Sequence, residues 1–148
     1  EEKLPINNIV VMVQKEVAQR LCALPGGKDY GAITLLCRYF TAPEIITNVK
    51  AGLFVPPPKV DSAVVRLKML DAPAVSVKSE DMFFKTVRFA FAQRRKTLMS
   101  CLSSGFGIPK DELSDIFEKA NIEPSRRGET LSIEEFANMA DRISEYFG

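Results

Sequence analysis

The sequence predicts an α/β unit followed by an all-α unit, on three observations. Runs of strand character, continuously β-branched or alternating with period two, lie before residue 71. From residue 80 onward the apolar residues recur at helical spacing. Between them, Asp71-Ala72-Pro73 and the polar stretch up to Asp81 read as a linker. The predicted division is residues 1–72 and 73–148.

In chain order, Asn7-Asn8 precede Ile9-Val10-Val11-Met12-Val13, an apolar run short enough for a strand covered on both faces, as in a parallel sheet. Residues 15–24 then place Val17, Ala18, Leu21, Cys22 and Leu24 at helical spacing, and Pro25-Gly26-Gly27 stops the helix. Strand then helix opens a βα unit. A buried parallel strand needs neighbours on both sides, so sheet partners upstream are expected to be missing from this chain. Over 30–40, Ala32, Leu35, Leu36 and Tyr39 follow the i, i+3, i+4, i+7 pattern, which predicts a helix despite Ile33 and Thr34. Pro43 ends it, 44–49 is a short strand, and Ala51-Gly52 turns the chain.

Phe54-Val55-Pro56-Pro57-Pro58-Lys59 follows. Consecutive prolines lock φ and remove backbone donors, so this piece cannot lie in a helix or a central strand and reads as an extended connector. Behind it Ala63, Val65, Leu67 and Met69 alternate with Val64, Arg66 and Lys68, which predicts a strand over 60–70. The connector thereby holds Phe54 at a fixed place beside a sheet.

Three helices are predicted beyond the linker. The first spans 80–104 and is closed by Gly105 and Gly107; the second spans 109–120, with Pro109 near its first turn and Asp111 and Glu112 where the helix dipole favours acids. The third opens at Ser132 as N-cap with Glu135 three residues on, a capping box, and runs to 146.

Composition excludes several function classes. The chain has no His, which removes imidazole general-base chemistry and most zinc sites. Cys22, Cys37 and Cys101 are widely spaced in apolar segments and read as buried thiols, with no disulfide framework and no metal. No apolar run approaches a membrane-spanning length, and Glu1-Glu2-Lys3-Leu4-Pro5 lacks a signal-peptide pattern, so the expectation is a cytoplasmic protein with no membrane partner. A net charge of +1 gives no global reason to expect a polyanion, which shifts the question to local charge.

Projected as one helix, residues 80–104 put Phe83, Val87, Ala90, Phe91, Leu98, Cys101 and Leu102 on one face and Lys85, Arg88, Arg95 and Lys96 on the other. The basic stripe reads either as a solvated face or as a phosphate-binding surface, and the lack of acidic partners at i, i+4 points to the latter. Phe89 lies near it, as a base-stacking ring or a packed aromatic. Arg94 falls amid the apolar face, where a guanidinium must pair or snorkel, so it is expected to make structural contacts to an ion partner or to backbone carbonyls. Arg126-Arg127 forms a second small basic cluster.

Three stretches carry a resemblance. Phe54-Val55-Pro56-Pro57-Pro58-Lys59-Val60-Asp61-Ser62-Ala63-Val64 resembles the F-x-P-x-P-K-V-x-S-x-V signature of the ribosomal RNA adenine dimethyltransferases. Phe89-Ala90-Phe91-Ala92-Gln93-Arg94-Arg95-Lys96-Thr97-Leu98 is similar to that family's aromatic-x-x-R-R-K-T-L element, and Arg126-Arg127-Gly128-Glu129-Thr130-Leu131-Ser132 with Glu135-Phe136 to its closing R-x-E-x-L-S-x-x-E-F element. The closing element favours the small-subunit (16S) enzymes over the related large-subunit resistance methylases.

The resemblance implies the C-terminal part of a Rossmann-like methyltransferase sheet followed by a small helical RNA-contacting domain. It implies S-adenosylmethionine as the parent enzyme's cofactor and small-subunit ribosomal RNA, or an immature small ribosomal subunit, as partner. It implies that Phe54 packs on a flipped target adenine. Lys59, Lys85, Arg88, Arg95 and Lys96 are the candidate RNA contacts. The family's Gly-rich cofactor loop, ribose-binding acid and N-L-P-Y segment have no counterpart here, so no cofactor is expected to bind this chain and no complete catalytic set is expected in it. It further implies that strands 9–13, 44–49 and 60–70 are sheet neighbours, the last antiparallel between the other two, with strand 9–13 exposing an edge open to dimerisation or aggregation. Asp61 and Ser62 read as turn or strand-opening residues. The rival readings are a non-catalytic RNA- or ribosome-binding module and a large-subunit resistance methylase.

Overall fold

The computed structural model describes residues 5–148, so the N-terminal residues used to argue against a signal peptide lie mostly outside the described residues. Strands β1 (Asn8–Gln14), β2 (Thr41–Val49) and β3 (Ser62–Met69) form one sheet in the order β1-β3-β2, with β3 antiparallel to both neighbours. This is the arrangement the resemblance implied. Helices α1 (Lys15–Cys22) and α2 (Ala32–Phe40) join β1 to β2. Four helices follow: α3 (Glu80–Ala90), α4 (Leu98–Phe106), α5 (Lys110–Ala120) and α6 (Ile133–Phe147).

The alternation read in β3 sets the sheet's two faces. Ala63 and Val65 are buried with Ala18 of α1, supported by Val11, Val13, Leu21, Ile45 and Leu67. The opposite face carries an in-register Arg66–Glu44 ion pair of 2.6 Å beside the exposed Val10 and Met12. Strand β1 is therefore not covered on both faces, contrary to its continuous apolar pattern. Among the described residues it pairs with β3 alone, and Val10 is 62% exposed. Pro43 lies within β2 rather than before it, which is tolerated because among the described residues β2 pairs with β3 alone and a missing donor can face outward. A register shift between Ile45 and Thr47 further bends that edge.

The larger core runs across the linker. Tyr30, Leu35 and Tyr39 from the α2 region are buried together with Phe83, Leu102, Phe117, Leu131, Phe136 and Met139. The Tyr30 hydroxyl donates to the Leu131 carbonyl at 2.8 Å, joining the first half of the chain to the closing element, and burial pushes its phenol pKa well up. Arg38 of α2 donates to the Ala23 and Cys22 carbonyls at 3.1 and 3.0 Å, satisfying the end of α1. Cys101 is buried, whereas Cys22 and Cys37 are half-buried; all three are free thiols. Among the described residues no group of His, Cys, Asp or Glu could hold a metal, and no helix is long and apolar enough to cross a membrane.

The predicted single helix over 80–104 is two helices with a turn between them. α3 stops at Ala90, where the Ala92 amide bonds back to the Phe89 carbonyl at 3.1 Å. Thr97 then caps α4, its hydroxyl accepting from the Ser100 amide at 3.3 Å. In a continuous helix the Leu98 and Met99 amides would bond to the carbonyls of Arg94 and Arg95. They bond instead to those of Arg126 and Pro124, at 2.7 and 3.2 Å. A remote loop thus supplies the acceptors that the helix would have used.

Candidate nucleic-acid interface

The break rearranges the basic residues. Lys85 and Arg88 stay on α3, while Arg95 and Lys96 lie exposed in the 91–97 turn, so the four do not form one helical stripe. The reading that none has an acidic helical partner is also corrected: Lys85 pairs with Asp81, four residues back, at 2.7 Å. Arg88, Arg95, Lys96 and Lys59 are exposed and make no ion pair with a described residue.

Each arginine doublet divides into a bonded and a free member. Arg94 reaches across to the Lys28 carbonyl, a backbone contact to the segment before α2, although its side chain is exposed rather than amid an apolar face. Its neighbour Arg95 has no such tie. Arg126 grips both carboxylate oxygens of Glu135, at 2.5 and 3.1 Å, and also the Thr130 carbonyl at 2.7 Å. The same Glu135 accepts from the Ser132 amide at 2.9 Å, completing the predicted capping box. The Arg126 bond, followed by those of Ser132, holds the Glu135 carboxyl below the usual carboxylate range. Arg127 is left exposed. Only half of the Arg126-Arg127 cluster is thus available to a partner.

Phe89 is packed rather than free. Its ring meets Phe106 edge-on, with centroids 4.8 Å apart, and α4 approaches so closely that a Cβ on Gly105 would lie 2.3 Å from its Cγ. The Arg88 guanidinium sits 5.1 Å above the same ring, a cation–π contact made by a residue that stays exposed. Gly128 plays a matching part at the other end of the turn: a Cβ there would lie 2.9 Å from the Ala90 carbonyl oxygen. The closing element can approach the end of α3 only because residue 128 has no side chain.

The proline connector leaves the sheet between β2 and β3, whose last paired residues are Val49 and Ser62. It starts with a 3-10 turn, Ala51–Leu53, then bends at 54–56 rather than running straight. Phe54 is half-buried, flanked by Leu53 at 75% exposure and Val55 at 100%. At the base of the loop Asp61 accepts from the Ala51 amide at 2.9 Å and from the Lys50 ammonium at 3.3 Å, while its own carbonyl accepts from the Lys15 amide at 2.9 Å. Sequence reasoning took Asp61 for a turn or strand-opening residue and missed this clasp. The signal available was a carboxylate three residues beyond a proline run that cannot donate backbone bonds of its own.

Pro25-Gly26-Gly27 is a docking turn. The Gly26 amide bonds to the Glu129 carbonyl at 2.7 Å, at a positive φ of 89° that suits glycine. It therefore faces the closing element.

An antiparallel sheet backed by two helices is joined to four further helices that carry exposed cations, a fold shared with solved methyltransferases. A solved dimethyladenosine transferase from Plasmodium falciparum superposes with TM-score 0.74 at 24% identity, covering 90% of this chain and 55% of that one. The 23S rRNA methyltransferase ErmE superposes with TM-score 0.63 at 20% identity, covering 93% and 55%. At these identities the likeness is one of fold.

The chain belongs to the ribosomal RNA adenine dimethylase family, whose pattern it matches over residues 1–144. Proteins named ribosomal RNA small subunit methyltransferase A are 46% identical in Alkaliphilus oremlandii, 48% in Clostridioides difficile and 50% in Bacillus mycoides, each over 97–98% of this chain. The chain spans about half the length of these curated relatives.

Proposed function

We propose that this chain is the RNA-contacting half of a small-subunit ribosomal RNA adenine dimethyltransferase, an S-adenosylmethionine-dependent enzyme of ribosome maturation in the cytoplasm. In this reading residues 1–72 close the Rossmann-like domain and residues 73–148 form the helical RNA-contacting domain. The observation that carries it is the 46–50% identity, over nearly the whole chain, to relatives bearing that name.

The geometry supports distinct roles for its parts. Phe54 stands on a connector whose neighbours are exposed, so its ring can form one wall against a base drawn out of its stack. Arg88, Arg95, Lys96 and Lys59 present unpaired cations to phosphates, which position the RNA without reading its sequence. Lys85 contributes less, because Asp81 already neutralises it. Arg94 serves as a structural charge through its bond to Lys28. No residue of this chain acts as a catalytic base in this reading. Methyl transfer to an amine rests on positioning, so the lack of His does not oppose it.

The test is binding by the 148-residue chain to immature small ribosomal subunits, to large-subunit RNA and to S-adenosylmethionine, the last by calorimetry. Salt-sensitive binding to the small subunit with no cofactor uptake is the expected result. Preference for a large-subunit hairpin would instead mark a resistance methylase, and cofactor uptake would overturn the assignment of this chain to the RNA-contacting half.

A further inference from the structure

We propose that Asp61 is the positioning residue for Phe54, a clasp that closes the base of the proline loop; this rests on the reading of Phe54 as the base-stacking ring. The loop cannot hold itself. Pro56, Pro57 and Pro58 have no amide hydrogens, residues 55–60 are all exposed, and the strand pairing ends at Val49 and Ser62. The bonds that join the loop's two limbs therefore come from one carboxylate. One oxygen of Asp61 takes the Ala51 amide, an orphan donor at the start of the 3-10 turn, and the other takes the Lys50 ammonium.

Ala51 passes the constraint on. Its carbonyl accepts from the Phe54 amide at 3.2 Å, so a single residue connects the carboxylate to the backbone of the stacking residue. Asp61 is itself braced from the far side, where its carbonyl accepts from Lys15, the first residue of α1. The relay runs from the start of α1 through Asp61 and Ala51 to Phe54. A backbone held in this way presents its side chain to a base with less ordering left to do.

The charged groups facing the clasp are Lys50 on the loop's first limb and Lys15 on α1. Together with the Ala51 amide, the largest cause, they hold the Asp61 carboxyl below its ordinary range. The clasp is closed at neutral pH and opens as pH falls through that lowered value, because a protonated carboxyl loses the Lys50 pair and weakens as an acceptor.

The chain has no Trp, so Phe54→Trp places a single indole at the tip. In that background Asp61, Asp61→Asn and Asp61→Ala are compared by indole anisotropy, exchange of the Ala51 amide, quenching by adenosine monophosphate and urea unfolding. Asp61→Ala is expected to speed Ala51 exchange about tenfold and to weaken nucleotide quenching severalfold, with global unfolding little changed. Asp61→Asn, which keeps the acceptor, is expected to restore both at neutral pH and to abolish the acid transition of the indole signal. Unchanged exchange and quenching in Asp61→Ala would overturn the clasp. If Asp61→Ala fails to fold, an acid transition that persists in Asp61→Asn overturns it instead. Absence of quenching even with Asp61 intact would sink the stacking role of Phe54, while amide exchange and the acid transition still decide the clasp.

Discussion

Arg126 holds both carboxylate oxygens of Glu135 through its guanidinium while its backbone carbonyl accepts the Leu98 amide at 2.7 Å. One residue thus joins the first turn of α6 to the first turn of α4. The closing motif is an internal brace, and what it braces is the turn that carries Arg95 and Lys96.

Removing the acid end of that brace is expected to cost the ion pair and one of the two bonds of the capping box. Glu135→Ala should destabilise the chain by about 1–3 kcal/mol in urea unfolding. Arg126→Lys should recover little, since an ammonium cannot make the paired bonds of a guanidinium.

The same pair predicts an acid dependence. The folded-state pKa of Glu135 is lowered, first by Arg126, so its contribution is complete above the ordinary carboxylate range and is lost as pH falls through the lowered value. Thermal unfolding from pH 7 down to pH 3 should show this loss. In Glu135→Gln that part of the acid limb should be missing.

Charge reversal separates the cations. Arg88→Glu/Arg95→Glu should lower affinity for small-subunit RNA and reduce the salt slope by roughly one unit per lost phosphate contact, with the circular dichroism spectrum unchanged. Lys85→Glu should have a smaller effect because Asp81 already holds that ammonium. Equal effects at both places would mean that the exposed turn has no special role.

Gly128→Ala tests the close approach of the closing element to α3. With a Cβ 2.9 Å from the Ala90 carbonyl oxygen, backbone must move, at a cost on the order of 1–3 kcal/mol. The measurement is the urea midpoint, together with proteolysis of the 91–97 turn, which should become faster.

The two sheet edges should behave differently. β2 is blunted by Pro43 and a register shift, whereas β1 presents Asn8–Gln14 with no charge and with Val10 and Met12 exposed. Light scattering is expected to show concentration-dependent association of the chain that Val10→Lys suppresses.

Most elements were legible because local pattern and final environment agree. The alternation of Ala63, Val65 and Leu67, the helical spacing through α2 and the Ser132–Glu135 capping box each reflect a face or a terminus that the surrounding fold respects. Two errors came from the same source. Residues 91–97 have helical periodicity, yet their helix is interrupted because Arg126 and Pro124 offer carbonyls to Leu98 and Met99. β1 has the composition of a strand buried on both faces, yet β3 is its one partner among the described residues.

By itself the sequence determined the order of α/β then helical structure, the family and the candidate residues, since these follow from short-range periodicity and from motifs written contiguously. The tertiary structure alone decided which charges are available. Whether Arg94 or Arg95, Arg126 or Arg127 faces a partner depends on Lys28 and Glu135, residues brought near by folding. It likewise decided that Asp61 reaches Ala51 across the mouth of the loop. Hydrogen bonds between residues distant in sequence are set by distance in space, which a linear pattern does not encode.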